Sequence, residues 1–145
     1  MNLKSLMKKE VISTMAFPNH ESFKVTLRYL DKDTMKKIME DCSKTTFDYK
    51  TKRADKKMDE DKLKNFIADK LIVNWEGLNF SILAKIAPVD IPEGTNMDAA
   101  IEPTLQNKLD LLDMSNDFDT WVSEIIKEYG YFDEDKKEKE IENLK

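Results

Sequence analysis

The sequence predicts an α+β fold: a mostly helical single domain with a small antiparallel β-hairpin near the N-terminus. Three observations carry this expectation. Residues 23 to 30, FKVTLRYL, alternate strictly between apolar and polar, which is the period of a half-buried strand. Several later stretches place apolar residues at i, i+3, i+4 and i+7, the stripe of an amphipathic helix. Only three glycines and four prolines punctuate 145 residues, which favours helices joined by few turns over an all-β barrel. That length suits one domain and one core. Within it we distinguish a hairpin region (1–30), a helical core (31–132) and a charged C-terminal tail or helix (133–145).

The elements follow in order. EVISTMAF (10–17) has strand composition, PNHES is a turn by its chemistry, and FKVTLRYL returns, so the three read as a hairpin. A helix over residues 3–15 is the competing reading. Asp31 or Asp33 then caps a short helix carrying Met35, Ile38, Met39 and Cys42. Residues 43–58 carry no period and read as a long polar loop. Asp59 or Asp61 caps a second helix with Leu63, Phe66, Ile67 and Leu71 on one face. It ends in KLIVNWEGLNF, where Gly77 is free to take the left-handed conformation of a helix terminus and Trp75 and Leu78 fold back as a structural turn. Residues 79–102 are irregular, with Pro88, Pro92 and Gly94 as breakers. Pro103 opens a third helix carrying Leu105, Leu109, Leu111, Leu112 and Met114. Ser115 or Asn116 caps a fourth with Phe118, Trp121, Val122, Ile125 and Tyr129, closed by Gly130, and Asp133 caps a last charged helix. The predicted core is Phe23, Val25, Leu27, Leu63, Phe66, Ile67, Leu71, Trp75, Leu109, Leu112, Phe118, Trp121, Val122 and Ile125.

Composition narrows the function. The net charge is −5, and among 24 basic residues only Arg28 and Arg53 are arginines. An acidic, arginine-poor chain is a poor match for phosphate neutralisation or guanine readout, so nucleic acid is not the expected partner. A single cysteine, Cys42, forms no intrachain disulfide, which agrees with a reducing cytoplasm. The N-terminal MNLKSLMKKEVISTM has neither a long apolar run nor a small-residue cleavage site, so no signal peptide is expected, and no membrane span either.

No constellation points to catalysis. His20 sits in a turn and Cys42 on a helix stripe, and neither has a second histidine or cysteine to build a zinc site. DMSNDFDTWVSE (113–124) has the oxygen-ligand spacing of a calcium loop, but Phe118 stands where glycine belongs, and Phe118, Trp121 and Val122 have helical spacing. KTKRADKK (50–57) is basic and reads as a solvated loop. There is no phosphate loop, GxSxG or HExxH. The expectation is a protein that is not an enzyme and uses no cofactor and no metal.

The order of features, with Val73-x-Trp75-x-Gly77-Leu78 closing one helix and Phe118-Asp119-x-Trp121-Val122 in another, resembles the tail assembly chaperones of long-tailed bacteriophages and prophages. The resemblance spans roughly residues 23 to 132. It implies a non-enzymatic chaperone that binds the tape measure protein during tail morphogenesis in the cytoplasm of the host bacterium and is absent from the finished virion. The tail tube protein is a second candidate partner, and homo-oligomers are open. The Trp75–Gly77–Leu78 turn would set the angle between the helices on either side of it. The segment between Leu78 and Pro103 is longer than the family pattern. The alternative is a small phage-encoded regulatory or nucleic-acid-binding protein working through the basic 50–57 loop.

Eight methionines are also notable, because methionine suits surfaces that adapt to varied apolar partners. Met35 and Met39 share one stripe. The expected client site is a groove edged by their helix and by the Leu105–Met114 helix, with Met35, Met39, Leu105 and Met114 as partner-binding residues.

Overall fold

A computed structural model describes residues 2–6 and 10–127. A 3₁₀ turn, Leu3–Leu6, precedes strands β1 (Glu10–Phe17) and β2 (His20–Leu30). These pair antiparallel in register from Glu10↔Leu30 to Ala16↔Lys24, with an irregularity before Phe17↔His20. The turn between them is tight: Pro18 fixes one corner and Asn19 takes a φ of 68°. Helix α1 (Lys32–Asp41) comes next. Then come β3 (Ser43–Asp48) and β4 (Arg53–Met58), which among the described residues pair only with each other. Helix α2 (Glu60–Phe66) runs on through a π-helical turn, Ile67–Leu71, into β5 (Ile72–Glu76). Helices α3 (Phe80–Ile86), α4 (Leu105–Met114) and α5 (Asn116–Ile126) complete the described chain.

The mostly helical expectation is overturned. Of the described residues 44% are helical and 31% extended, so the fold is α+β with five strands in two small sheets. The 31–132 region, expected as a helical core, holds β3, β4 and β5. Two local causes explain the difference. LIVNWE, expected as a helix end, has β-branched and aromatic residues that pair with β2, Val25 opposite Trp75 and Lys24 opposite Glu76. The first sheet therefore runs β1-β2-β5. Residues 43–58, expected as a loop, form a hairpin with Ser43 opposite Met58 and Asp48 opposite Arg53. Its turn is hidden because Lys52, not glycine, takes the left-handed φ of 54°. Residues 79–102 also contain α3, whose N-terminus is capped by the Asn79 side chain, an acceptor for the Ile82 N–H at 2.9 Å.

One face of the three-stranded sheet supplies Phe23, Val25, Leu27, Tyr29, Ile72 and Trp75 to a single core. Leu71, Leu78, Ile82, Ile86, Leu111, Leu112, Phe118, Val122, Ile125 and Ile126 pack onto it from the helices and the segments joining them. At its centre Phe118 stacks on Phe23 with centroids 6.0 Å apart and meets Trp75 edge-on at 6.3 Å. Of the predicted core, Leu63, Phe66, Ile67, Leu109 and Trp121 are only partly buried. Trp121 packs edge-on to Phe17 at 5.1 Å but keeps one side toward solvent. Tyr129, Gly130, the Tyr131–Phe132 pair and the 133–145 tail lie outside the described residues.

Gly77 does adopt a left-handed φ, 81°, but it comes after a strand rather than a helix. The turn leads from β5 into α3, and so does not set the helix-to-helix angle expected of it. Its neighbours tie down the 87–104 stretch. Trp75 Nε1 donates to the Ile101 carbonyl at 2.8 Å, the Ile101 N–H donates to the Leu78 carbonyl at 2.8 Å, and Asn79 bridges to Ala100. That stretch is thus pinned across the Trp75–Leu78 turn.

Ser115 joins two helices through one hydroxyl. Fully buried, it donates to the Ile86 carbonyl at 2.7 Å, at the end of α3, and accepts the Phe118 N–H at 3.1 Å, at the start of α5. Ser115→Ala removes a cap and leaves a buried carbonyl without that donor. The expected loss is about 2 kcal/mol by urea titration, and a loss under about 0.5 kcal/mol would show that the latch is energetically idle.

Candidate functional site

The clearest candidate site is an apolar groove of about 550 Å³ walled by α1, α2 with its π-helical turn, and α5, with the base of the β3–β4 hairpin along one side. Each wall has a sequence-level cause. The i, i+4 pair Met35 and Met39 puts two thioethers on the same face of α1. Met58 reaches in from the last residue of β4. Leu63 and Ile67 come from α2 and the first residue of the π turn, Leu71 from its last, and Ile126 from α5.

The π turn has a specific effect on this floor. The Ile72 N–H reaches back to the Ile67 carbonyl, five residues earlier. The widened turn rotates the residues beyond Ile67 about the helix axis. Ala68 and Leu71 thereby enter the core while Leu63 and Ile67 stay half-buried at the groove. The charged side chains of the lining are Lys36, Lys56 and Lys127 against Glu40. Most of the lining is flexible aliphatic and thioether surface, which binds by burial and tolerates varied shapes.

The expected partner-binding residues divide between two places. Met35 and Met39 line this groove. Met114 lines a different, smaller cleft of about 330 Å³ bounded by Trp75, Leu78, Phe80, Ala100 and Leu111. Leu105 lines neither and is 46% exposed at the first position of α4. The groove is therefore closed by α5 and the hairpin, whose residues sequence reasoning does not assign to it. Met58 is hidden in a stretch without helical period, and Leu63 and Ile67 carry the same pattern as core residues.

Groups with chemical potential lie elsewhere. His20 opens β2, stacks on Phe17 with centroids 6.0 Å apart, and lines a polar cleft of about 440 Å³ with Lys85, Asp117 and Glu124. Cys42 is buried at the end of α1, and burial raises its thiol pKa, which suppresses the nucleophilic thiolate. Among the described residues no group of three or more His, Cys, Asp or Glu side chains is placed to hold a metal. The acidic 113–124 stretch is the end of α4, its linker and the body of α5. No helix among the described residues is long and apolar enough to cross a membrane.

Lys108 is a buried cation at the edge of the core. It is 8% exposed on α4, and its Nζ reaches the Val73 carbonyl only at 3.5 Å. Burial lowers its pKa from 10.5, opposed by the Asp69 carboxylate. The unfolded chain therefore holds this proton more tightly than the folded one. The penalty is present in full below the lowered folded pKa and disappears as pH rises past 10.5. Lys108→Met is accordingly expected to stabilise the protein by about 1 kcal/mol at pH 7, with the gain shrinking toward pH 11. Paired thermal melts across that range test this, and a pH-independent difference would refute it.

Compared with known proteins, the chain matches no family model, no curated protein and no solved structure.

Proposed function

We propose that this protein is a non-enzymatic assembly chaperone that holds apolar helical segments of a client in the groove between α1, α2 and α5. The client is the tape measure protein of a long-tailed phage or prophage, as the resemblance of the sequence implies, with the tail tube protein as a second candidate. The observation that carries the reading is the groove itself: half-buried Met39, Met58, Leu63 and Ile67 gathered over the buried Met35, Leu71 and Ile126, beside three lysines. Such a surface gains free energy by covering apolar area and needs no reactive group. A tape measure protein is long, so modest affinity at each segment would be multiplied by many chaperone copies along it. In this reading the protein acts in the cytoplasm of the host bacterium and does not remain in the finished particle.

Co-expression with the tape measure protein encoded in the same gene neighbourhood tests the proposal. The wild-type chain should co-purify with the client and keep it in solution. Met39→Glu, which puts a charge on the groove floor without touching a fully buried residue, should abolish co-purification while leaving the melting temperature within a few degrees. A client that is equally dispersed alone, or that is retained fully by Met39→Glu, would refute this use of the groove.

A further inference from the structure

We propose that the β3–β4 hairpin is one jaw of this client site, and that the segment it admits is an amphipathic helix with carboxylates flanking its apolar stripe. The inference rests on the groove reading above and adds the chemistry of the client to it.

The first observation is the alternation of the hairpin. Ser43, Thr45 and Phe47 lie opposite Met58, Lys56 and Ala54, and all six point to one face. Ser43, Lys56 and Met58 line the groove, so this is the face turned toward it. Thr45, Phe47 and Ala54 prolong that face outward. At its far end Phe47 is 51% exposed and packs edge-on against Tyr49, 85% exposed, with centroids 4.9 Å apart. A ribbon that contributes no residue to the core has no folding reason to hold two aromatic rings in water. The two rings do not line the groove itself; they stand at the far end of the ribbon, beside a separate cleft of about 490 Å³ with Thr46, Asp48, Asp55 and Lys57, where they offer apolar area to a segment that runs past Met58. The ribbon is anchored at its base, where the Asp59 N–H donates to the Cys42 carbonyl at 2.6 Å and Lys62 Nζ donates to the Asp41 carbonyl at 2.8 Å. An isolated two-stranded hairpin is marginally stable, so covering its inner face with a bound segment would also consolidate it.

The second observation is the sign of the charge. The groove carries Lys36, Lys56 and Lys127 against Glu40, whereas the whole chain carries a net charge of −5. The local excess therefore runs against the overall balance. Lysines beside an apolar floor attract carboxylates within a screening length of about 10 Å at 0.1 M salt, and repel cationic flanks. Their main effect is selection and steering, with little added to the affinity from burial. A helix is the fitting occupant because helices make three walls of the groove, the geometry of helix-in-groove recognition. A single-stranded nucleic acid also meets basic and aromatic groups on the hairpin. It is disfavoured because Asp48 and Asp55 interleave with them and, among the described residues, the lining of the groove itself holds no aromatic ring for a base to stack on.

Fluorescein-labelled synthetic helices test the inference. Two peptides share one leucine and isoleucine stripe and carry either glutamates or lysines on its flanks. By anisotropy with the full chain, the glutamate peptide should bind at least tenfold more tightly at low salt, and the gap should close toward 0.5 M sodium chloride. The triple variant Lys36→Glu, Lys56→Glu, Lys127→Glu should reverse the preference. Phe47→Ser with Tyr49→Ser should weaken both peptides several-fold and leave the preference intact. These substitutions are all at exposed positions, and circular dichroism checks that each variant is folded. Equal binding of both peptides, unchanged by the triple variant, would overturn the charge selection and leave the groove reading standing. Binding of neither peptide, together with full client retention by Met39→Glu, would remove both. Tighter binding of a labelled oligothymidine, weakened by the Phe47 and Tyr49 changes, would overturn the helix in favour of nucleic acid. A concentration-dependent dimer that dissociates in Met39→Glu would overturn it in favour of a second copy of this chain.

Discussion

Gly77→Ala is expected to destabilise the protein by about 4 kcal/mol. Two costs add. A side chain at a φ of 81° carries about 1–3 kcal/mol of backbone strain. A Cβ at this position would also lie 1.7 Å from the Ser22 carbonyl oxygen, a backbone atom that moves only if β2 moves. Displacing a packed element typically adds about 1–3 kcal/mol. Gly94 separates the two. Its φ is 83°, but a Cβ there meets nothing within 4 Å, so Gly94→Ala should cost only about 1 kcal/mol. Urea titration of the two variants measures the difference. Equal losses would mean that conformation alone, and not the approach of the β5–α3 turn to β2, requires the glycine.

Phe118→Ala is expected to cost about 4 kcal/mol, within the range for removing a fully buried aromatic ring. Phe118 is completely inaccessible and touches rings from four directions: Phe17, Phe23, Trp75 and Trp121. Its loss leaves a void that none of these rings fills without giving up its own contacts. Phe118→Leu, which keeps most of the volume, should recover more than half of the loss. If the alanine variant unfolds within about 1 kcal/mol of wild type, the aromatic cluster is not the centre of the core. Trp121→Ala should cost less, since Trp121 is only partly buried.

The alternating β2, the Asp59 and Ser115 caps and the stripes of α1, α4 and α5 are legible in the sequence because each is a local pattern. The hidden elements depend on partners distant in the chain. LIVNWE suits a helix end and a strand about equally, and the free edge of β2 decides between them. The β3–β4 hairpin alternates lysine, threonine and aspartate on nearly exposed faces, so no apolar period marks it. The groove is half legible for the same reason. Met35 and Met39 announce a surface, but their opposite walls come from a π turn and from the C-terminal part of α5. Sequence order does not reveal that these meet, and so Leu105, expected at the groove, does not line it.

The stacking of Phe118 on Phe23 also has a consequence for synthesis on the ribosome. The β1–β2 hairpin is translated before the elements that cover it, and Phe23, Val25 and Leu27 on its inner face are fully buried in the finished fold. The strand that completes their sheet and the helix that covers them are translated much later. At about 10 residues per second, roughly ten seconds pass before α5 is available. Throughout that interval a nascent hairpin displays an uncovered apolar face and two unpaired edges, the features that template aggregation. A protein proposed to shield the apolar segments of another chain would thus begin its own existence needing the same protection.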